Sequence, residues 1–496
     1  LSADHRSHRR KEQRMPAPDM QTFVAELERH GWLRRVSAEV DPELEITEIA
    51  GRVTQADGPA LLFENVKGSD IPVLINTYGT KERMCLVLGA ESLEQAAERV
   101  KALIRPEMPT TLVQKIRKLP ELAELASLPP KIVKRGVCQE VVHTDDADLF
   151  TLPALKCWPQ DGGRYITLGA VFTKDPDTDD RNIGLYRVQL FEPKLAAMHW
   201  HMHHDGARHY RKYKGRGEQM PVAIALGGPP IIPYAASAPL PSNVDEALFA
   251  GFLQGSSIEL VPCVTQPRIE VPATAEIVIE GYIDPDEDLI LEGPFGDHTG
   301  FYSLADHYPR FHVTAITNRR KPLFPATVVG KPPQEDYWLG KATERIFLPL
   351  LQMLIPDIID YDLPVFGCFH NCAFVKIRKE YPYQARQVMS AIWGAGQMAF
   401  TKIIVVVDEH VDVHNQDEVL FQLCSNVDPR RDITFVDGPL DILDHAAPVC
   451  GAGSKMGIDA TRKIPGEGQI RDWPDEIEMS AEIKQLVTRR WNEYAL

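Results

Sequence analysis

No two of the eight cysteines form a Cys-x-x-Cys pair. Cys85, Cys138, Cys157, Cys263, Cys368, Cys372, Cys424 and Cys450 are scattered, the pattern of reduced thiols that are mostly buried as small apolar groups, not of a disulfide framework. Cys368 and Cys372 flank His370, but no second ligand pair follows, so side chains on a buried strand are a better reading than zinc. Long apolar runs are also missing. The strongest, Ile403 to Val407, stops at Asp408, far short of the roughly 20 residues that span a bilayer, and reads as a buried strand. Positive charge is in deficit: 54 Lys and Arg stand against 70 Asp and Glu, a formal charge of -16. Such a surface repels phosphates and argues against nucleic acid as the main partner. The basic, polar opening Leu1 to Arg14 has no apolar stretch after it and is not clearly amphipathic, so it reads neither as a secretory signal nor as a mitochondrial leader. Met15-Pro16 looks like the natural start, with residues 1–14 a tag, a misplaced start or a disordered arm. Internal repeats and low-complexity tracts are absent.

What remains is a globular composition, 44% apolar and 25% charged over 496 residues, enough for two or three domains. The first third alternates. Helical periods run from Met20 to Trp32, Ile46 to Thr54 and Ser92 to Leu103, with strands at Ala60 to Phe63 and Ile71 to Ile75 and a Pro- and Lys-rich connection at 106–135. The middle third is dominated by strands: Thr167 to Thr173, Gly184 to Phe191, Pro221 to Leu226, Glu276 to Ile283 and Phe311 to Thr317, interrupted by one helix, Asn243 to Leu253. That composition suggests a barrel or sandwich. The last third returns to alternation, with helices at Glu335 to Leu354, Tyr383 to Trp393 and Gln416 to Leu423 and strands within Pro364 to Ile377, at Lys402 to Val407 and at Asp432 to Val436.

Four clusters carry candidate chemistry. In Glu292-Gly293-Pro294-Phe295-Gly296-Asp297-His298-Thr299-Gly300, two carboxylates five positions apart flank a turn. A turn can bring both to one site, where like charge raises one pKa and leaves a proton donor; an ordinary acidic surface loop is the alternative. In Asn182-Ile183-Gly184-Leu185-Tyr186-Arg187, a strand arginine among apolar neighbours needs an anion if buried. A substrate carboxylate, a phosphate or an internal acid would serve, the last being the commoner answer. His199-Trp200-His201-Met202-His203-His204-Asp205 places three histidines on one face of a strand, for a metal or merely for solvent. Gly451-Ala452-Gly453-Ser454-Lys455-Met456-Gly457 lacks P-loop spacing, but its amides and Lys455 could meet a phosphate or a flavin edge.

In this order and at these separations, the four clusters resemble the UbiD family of decarboxylases, from Met15 to about Gly468. Glu45-Ile46-Thr47-Glu48-Ile49, Gly58-Pro59-Ala60-Leu61-Leu62-Phe63 and the stretch from Gly453 to Ala460 add to the likeness, which is strongest to the bacterial branch acting on quinone precursors. The resemblance implies an α/β (α+β) multidomain fold: a residue 15–125 N-terminal α/β domain, a residue 126–325 split β-barrel like that of flavin reductases, and a residue 326–496 C-terminal α/β domain making the oligomer contact, dimer or hexamer. It implies prenylated FMN, held through Mn²⁺ (or Mg²⁺) with K⁺ nearby. The metal ligands would be Asn182, His203 and Glu246, the catalytic set Arg187, Glu292 and Asp297, and further cofactor-binding positions Leu185, Tyr186, Arg187, Trp200, Ser237 and Lys455.

The implied activity is reversible, non-oxidative decarboxylation of an aromatic or α,β-unsaturated acid. Glu292 would protonate the carbon, and Arg187 and Asp297 would orient it, although the two acids could exchange roles. The substrate could be a quinone precursor such as a polyprenyl hydroxybenzoate or dihydroxynaphthoate, or a small phenolic or heteroaromatic acid in degradation. A flavin prenyltransferase must supply the cofactor. The setting expected is cytoplasmic, which leaves room for peripheral membrane contact. Two other classes compete: a flavin-binding accessory protein, which would have no need of Arg187, Glu292 and Asp297 together, and a metal hydrolase on the histidines, active without flavin.

Overall fold

A computed structural model describes residues 16–104, 128–200, 205–241 and 244–494. The expected arm at 1–14, most of the 106–135 connection and His203 lie outside the described residues.

The chain opens with helix Met20–Arg29, whose Asp19 cap accepts from the Thr22 amide and whose Met20, Phe23, Val24 and Leu27 are buried at helical spacing. Strands Leu33–Val40 and Ala60–Val66 pair in parallel around helix Glu45–Gln55, and Val73–Ile75 adds antiparallel. The fourth strand, Phe324–Pro325, arrives from far along the chain and pairs parallel to Val73 and Leu74. This first sheet is therefore stitched to the middle of the molecule by its own hydrogen bonds.

The central sheet follows the order Tyr165–Ile166, Val188–Glu192, Leu195–Met198, Arg310–Asn318, Ala275–Ile283, Met220–Gly227, Ala170–Lys174, Arg181–Leu185, with Val141–His143 beside Arg310–Asn318. All its ladders are antiparallel. Both faces are covered: Val171, Val222 and Ile224 enter one core, while Ala170, Phe172 and Ala223 enter another. That is why these strands read as nearly unbroken apolar runs without polar alternation. Strand Arg181–Leu185 ends the path, and Val188–Glu192 stands one place from its other end, yet only Tyr186 and Arg187 separate them. The three steps from Leu185 to Val188 reach about 11 Å at most. The sheet must curl until its edges almost meet, which makes it a split barrel. The expected continuous strand Gly184 to Phe191 is thus broken at Tyr186-Arg187, where the chain crosses the seam.

In the last part, helix Asp336–Leu354 leads into a five-stranded sheet ordered Ile358–Asp362, Cys372–Ile377, Ile403–Asp408, Ala452–Asp459, Ile433–Pro439. Helix Gln384–Ile392 covers one face with Val388 and Met389, and helix Gln416–Asn426 covers the other with Val419. Cys372 begins a strand, but Cys368 does not lie on one: it follows a single 3₁₀ turn in the left-handed region, φ 47°. The helix expected from Asn243 begins at Glu246, capped by Asp245. Helices Lys81–Val87, Asp205–Arg216, Ile231–Ser237 and Ala481–Arg490 were not expected from the sequence pattern. Among the described residues, no helix is long and apolar enough to cross a membrane.

Candidate active site

Arg187 sits on the seam crossing and points at a hairpin excursion from the opposite side. The excursion has two short ladders, Ile290–Glu292 against Asp306–Tyr308 and Phe295–Gly296 against Tyr302–Ser303. The turn between them is fixed to the barrel. The Gly293 amide donates to Gln189 Oε1 at 2.8 Å, Gly162 to the Pro294 carbonyl at 2.8 Å and Gly296 to Asp161 Oδ1 at 2.8 Å. Gly293 holds φ 95°, a conformation that suits glycine, and a side chain at Gly296 would stand 2.1 Å from Trp158 Cδ1.

The two acids of the turn close on Arg187 from both sides. Its Nε and Nη2 donate to Glu292 Oε1 and Oε2 at 2.9 and 3.0 Å, and its Nη1 donates to Asp297 Oδ2 at 2.5 Å. Phe295 lies under the guanidinium, 4.7 Å from its ring centre. Two histidines extend the cluster. His199 Nδ1 is 3.0 Å from Glu292 Oε2, and His298 Nδ1 is 3.1 Å from Asp297 Oδ1. His298 Nε2 in turn meets Nε2 of His370, from the last domain, at 3.1 Å.

The electrostatics differ from the expectation of two like charges. Burial favours the neutral form of Glu292, but hydrogen bonds from His199 and Arg187 outweigh it and hold the carboxyl at about 2. Burial opposes ionisation of Asp297 too, yet its bonds to His298 and the charges of His298 and Arg187 push it well below the usual carboxylate range. The expected raised acid is absent in this structure because a guanidinium stands between the pair. Burial works against a charged His298, but Asp297, with Asp336 and Asp441 behind it, lifts the imidazole to about 9. Burial lowers His199 despite its acid partner.

The expected metal ligands come together in part. Asn182 lies on strand Arg181–Leu185, with Nδ2 3.4 Å from Thr173 Oγ1, and Glu246 Oε2 accepts the neighbouring Ile183 amide at 2.9 Å. Arg181 pins the two elements, bonding Asp245 at 2.7 Å and Glu270 at 2.9 Å. Burial, with Asp245 and Asp205 close by, raises Glu246 to about 7, which is the situation of a carboxylate set up for a cation. The Trp200 indole N–H is buried and has no acceptor among the described residues, so a polar group from a bound molecule would fit there. Tyr186 packs edge-on to Trp200 at 6.3 Å with its hydroxyl toward Asn182, and Leu185 ends the strand beside them.

Ser237 ends helix Ile231–Ser237 and donates to the Tyr234 carbonyl at 2.8 Å. Lys455 is buried in the last sheet, its ammonium bonded to the Ala399 carbonyl, so it does not join the Arg187 cluster. The strand expected through the histidine run stops at Met198, and His199 turns to Glu292 instead of a metal face. His199, Tyr308, whose ring centre is 4.3 Å from His199, and His370 are the site neighbours that spacing alone did not reveal.

Three family models match the chain: the N-terminal domain of 3-octaprenyl-4-hydroxybenzoate carboxy-lyase, UbiD, over residues 24–103, its Rift-related domain over 131–332 and its C-terminal domain over 337–460. The chain belongs to the UbiD family. It is a decarboxylase built of that family's three parts, with the split barrel central. An uncharacterised protein of Aquifex aeolicus is 51% identical over 480 residues, 96% of this chain and 99% of the relative. The vanillic acid decarboxylase of Sedimentibacter hydroxybenzoicus, in its closed form, superposes with a TM-score of 0.82 at 28% identity over 97% of this chain and 98% of its own. An evolved dimeric form of the UbiD-class enzyme HmfF from Pelotomaculum thermopropionicum, in complex with prFMN, gives a TM-score of 0.77 at 28% identity over 94% and 98%.

Proposed function

We propose that this UbiD-family enzyme removes carbon dioxide, reversibly, from an aromatic or α,β-unsaturated carboxylic acid with prenylated FMN as cofactor. The observation that carries the reading is the buried Arg187, clasped by Glu292 and Asp297 with His199 and His298 outside them. A structural ion pair needs one acid. Two acids, each backed by an imidazole, make a site that can bind an anion and move a proton.

Asn182 and Glu246, with His203 completing the set, would hold Mn²⁺ or Mg²⁺ against the cofactor phosphate, with K⁺ beside it; carboxylate, amide and imidazole donors suit such ions. Tyr186, Trp200, Leu185 and Ser237 would line the flavin, and Lys455 would reach its edge from the last domain. When bound, prenylated FMN supplies the electron sink for the carbon that loses CO₂. The protein's part is charge and proton. A substrate carboxylate competes for the N–H groups of Arg187, which orients the bond to be broken. Its charge and the partial loss of the guanidinium both raise the proton affinity of Glu292. Glu292 then gives its proton to the carbon, and Asp297 keeps Arg187 in place.

For the substrate we favour a quinone precursor bearing an apolar tail. The hairpin that carries the two acids exposes Leu289, Leu291, Phe301 and Leu304, the last 86% accessible. On the strand ending at Glu292, Leu291 faces away from the buried acid, so the catalytic hairpin carries an apolar outer surface on the side turned from the acid. A small phenolic acid is the second reading, favoured by the overlap with the vanillic acid decarboxylase.

The first experiment is the mass of the small molecule released from protein co-expressed with a flavin prenyltransferase. FMN plus a five-carbon prenyl unit is expected, followed by CO₂ release from a panel of prenylated and unprenylated hydroxybenzoates. Folded protein that carries no flavin in the presence of Mn²⁺ would count against the reading and favour an accessory role.

A further inference from the structure

An asparagine meets a hard cation through its carbonyl oxygen, because the NH₂ end of the amide carries only donors. Asn182 can serve as a ligand only if its amide is held one way round. It pairs across the ladder with Thr173, both residues are buried, and its Nδ2 donates to Thr173 Oγ1 at 3.4 Å. Its amide also donates to the Tyr186 hydroxyl. Neither contact uses Oδ1. A hydroxyl is donor and acceptor, however, so Thr173 can also donate to an amide oxygen and invert the group. The hydrogen of Thr173 must itself be fixed.

His209 stands behind it. This residue of helix Asp205–Arg216 is 1% exposed, and its Nδ1 lies 3.0 Å from Thr173 Oγ1. The direction of that bond depends on which ring nitrogen carries the hydrogen. Nε2 has no hydrogen-bond partner among the described residues, but Asp175 Oδ2 stands 3.9 Å from it. Lys212 at 2.6 Å and the Asp177 amide at 2.9 Å hold this carboxylate in place. A lone pair on Nε2 would face the negative charge, whereas a hydrogen there is attracted to it. With the hydrogen on Nε2, Nδ1 is the acceptor. Thr173 then donates to it and turns only lone pairs toward Asn182. Burial outweighs the pull of Asp175 and lowers the His209 pKa, so the ring is neutral, as this arrangement requires.

We propose that Asp175, His209 and Thr173 are positioning residues that hold the Asn182 amide with its oxygen available to the cation, a role that rests on the proposed metal site of Asn182 and Glu246. The chain has two self-consistent states. In one, hydrogens run from Asn182 to Thr173 and from Thr173 to His209. In the other the tautomer is reversed, His209 donates to Thr173, Thr173 donates to Asn182 Oδ1, and the NH₂ group takes the place of the ligand oxygen. Both states bury the same atoms, so the charge of Asp175 selects between them and bears on metal binding more than on folding.

The test titrates Mn²⁺ into the full chain supplied with FMN and reads the free ion by EPR, with urea midpoints as the check on folding. Thr173→Val keeps the shape and removes the hydroxyl, and Mn²⁺ affinity should fall about 10–100-fold. Thr173→Ser restores the hydroxyl and should stay within about threefold of the wild type. A second readout needs no metal: ¹⁵N-imidazole NMR shows which His209 nitrogen carries the hydrogen. It should be Nε2 in the wild type and in Thr173→Val. Asp175→Asn offers its own amide hydrogens to Nε2, so the ring hydrogen should move to Nδ1 and Mn²⁺ affinity should fall with it. Unchanged affinity in Thr173→Val, a hydrogen on Nδ1 of wild-type His209, or a tautomer unmoved by Asp175→Asn would each overturn the chain. Wild-type protein that takes up FMN but no Mn²⁺ would instead overturn the metal site and the inference with it, and the His209 tautomer, read without metal, tells the two failures apart.

Discussion

At the scale of single residues the two acids are not equivalent. Glu292 takes both prongs of the guanidinium and a histidine, while Asp297 takes one N–H and stands against His298. Replacing Glu292 by Gln removes the exchangeable proton without changing the shape. Turnover should fall by about 10²–10⁴, with cofactor content unchanged by absorbance. Asp297→Asn leaves the bidentate grip intact and should cost roughly 10-fold in kcat, measured by the same CO₂ release. Glu246 belongs to the proposed metal site. Glu246→Gln should lower bound Mn²⁺ by elemental analysis and reduce the flavin that co-purifies, since a neutral amide cannot balance the ion. Arg187, Glu292 and Asp297 could be singled out in the sequence because each sits in a cluster of its own, and the structure brings the three together, whereas Glu246 entered only through the family resemblance. His199 was read as one of a solvent or metal set because spacing along a chain does not show what stands opposite, and its partner lies 93 positions away.

At the scale of elements, the seam crossing decides where Arg187 points. Strand Arg181–Leu185 must end at Gly184-Leu185 so that Tyr186 can fold back, and a Cβ on Gly184 would stand 2.2 Å from the Tyr186 ring. Gly184→Ala should therefore destabilise the protein by about 1–3 kcal/mol and displace Tyr186. Gly215→Ala is the control. Gly215 lies inside helix Asp205–Arg216 with nothing within 4 Å of its added Cβ, so alanine should stabilise by about 1 kcal/mol. Urea midpoints of the two variants should move in opposite directions. The crossing was not legible from apolar pattern, because Gly184 to Phe191 keeps strand character on both sides of the break. Strand Leu33–Val40 was missed for another reason: its interior is largely exposed and charged, so no period marks it. The pairing of Phe324–Pro325 with Val73 and Leu74 is set by tertiary closure, which local sequence does not encode. Helices Asp336–Leu354 and Gln384–Ile392 and strand Ile403–Asp408 were legible because each buries a regular stripe or a continuous run, whereas strands Ile358–Asp362 and Ala452–Asp459 were not: the first is short and half polar, and the glycines of the second read as a turn.

At the scale of the whole molecule, the site is a junction. The catalytic hairpin belongs to the barrel part, yet His298 bonds His370 and Phe301 stacks on His445 at 3.9 Å, both partners from the last part. Charge on His298 therefore bears on how the parts hold together. Its folded pKa of about 9 lies above the ordinary 6.5, so the stability that it contributes is complete below about pH 6.5 and disappears as pH rises through 9. Asp297 has the opposite sign: its pKa is depressed, so its contribution is complete above the ordinary carboxylate value and is lost on acidification. Between these limits both charges are present and the pair is fully formed. Deprotonating His298 leaves Asp297, Asp336 and Asp441 facing a neutral ring, and burial already holds Asp336 up at about 6. Urea unfolding followed by tryptophan fluorescence should show wild-type stability falling by about 1–3 kcal/mol from pH 6.5 to 9.5 through this group. In His298→Gln the part of that fall due to His298 should vanish, and the two curves should converge at alkaline pH. Parallel curves over the whole range would mean that the His298 charge does not couple to folding, and the junction would then owe its strength to packing around Phe301 and Phe369.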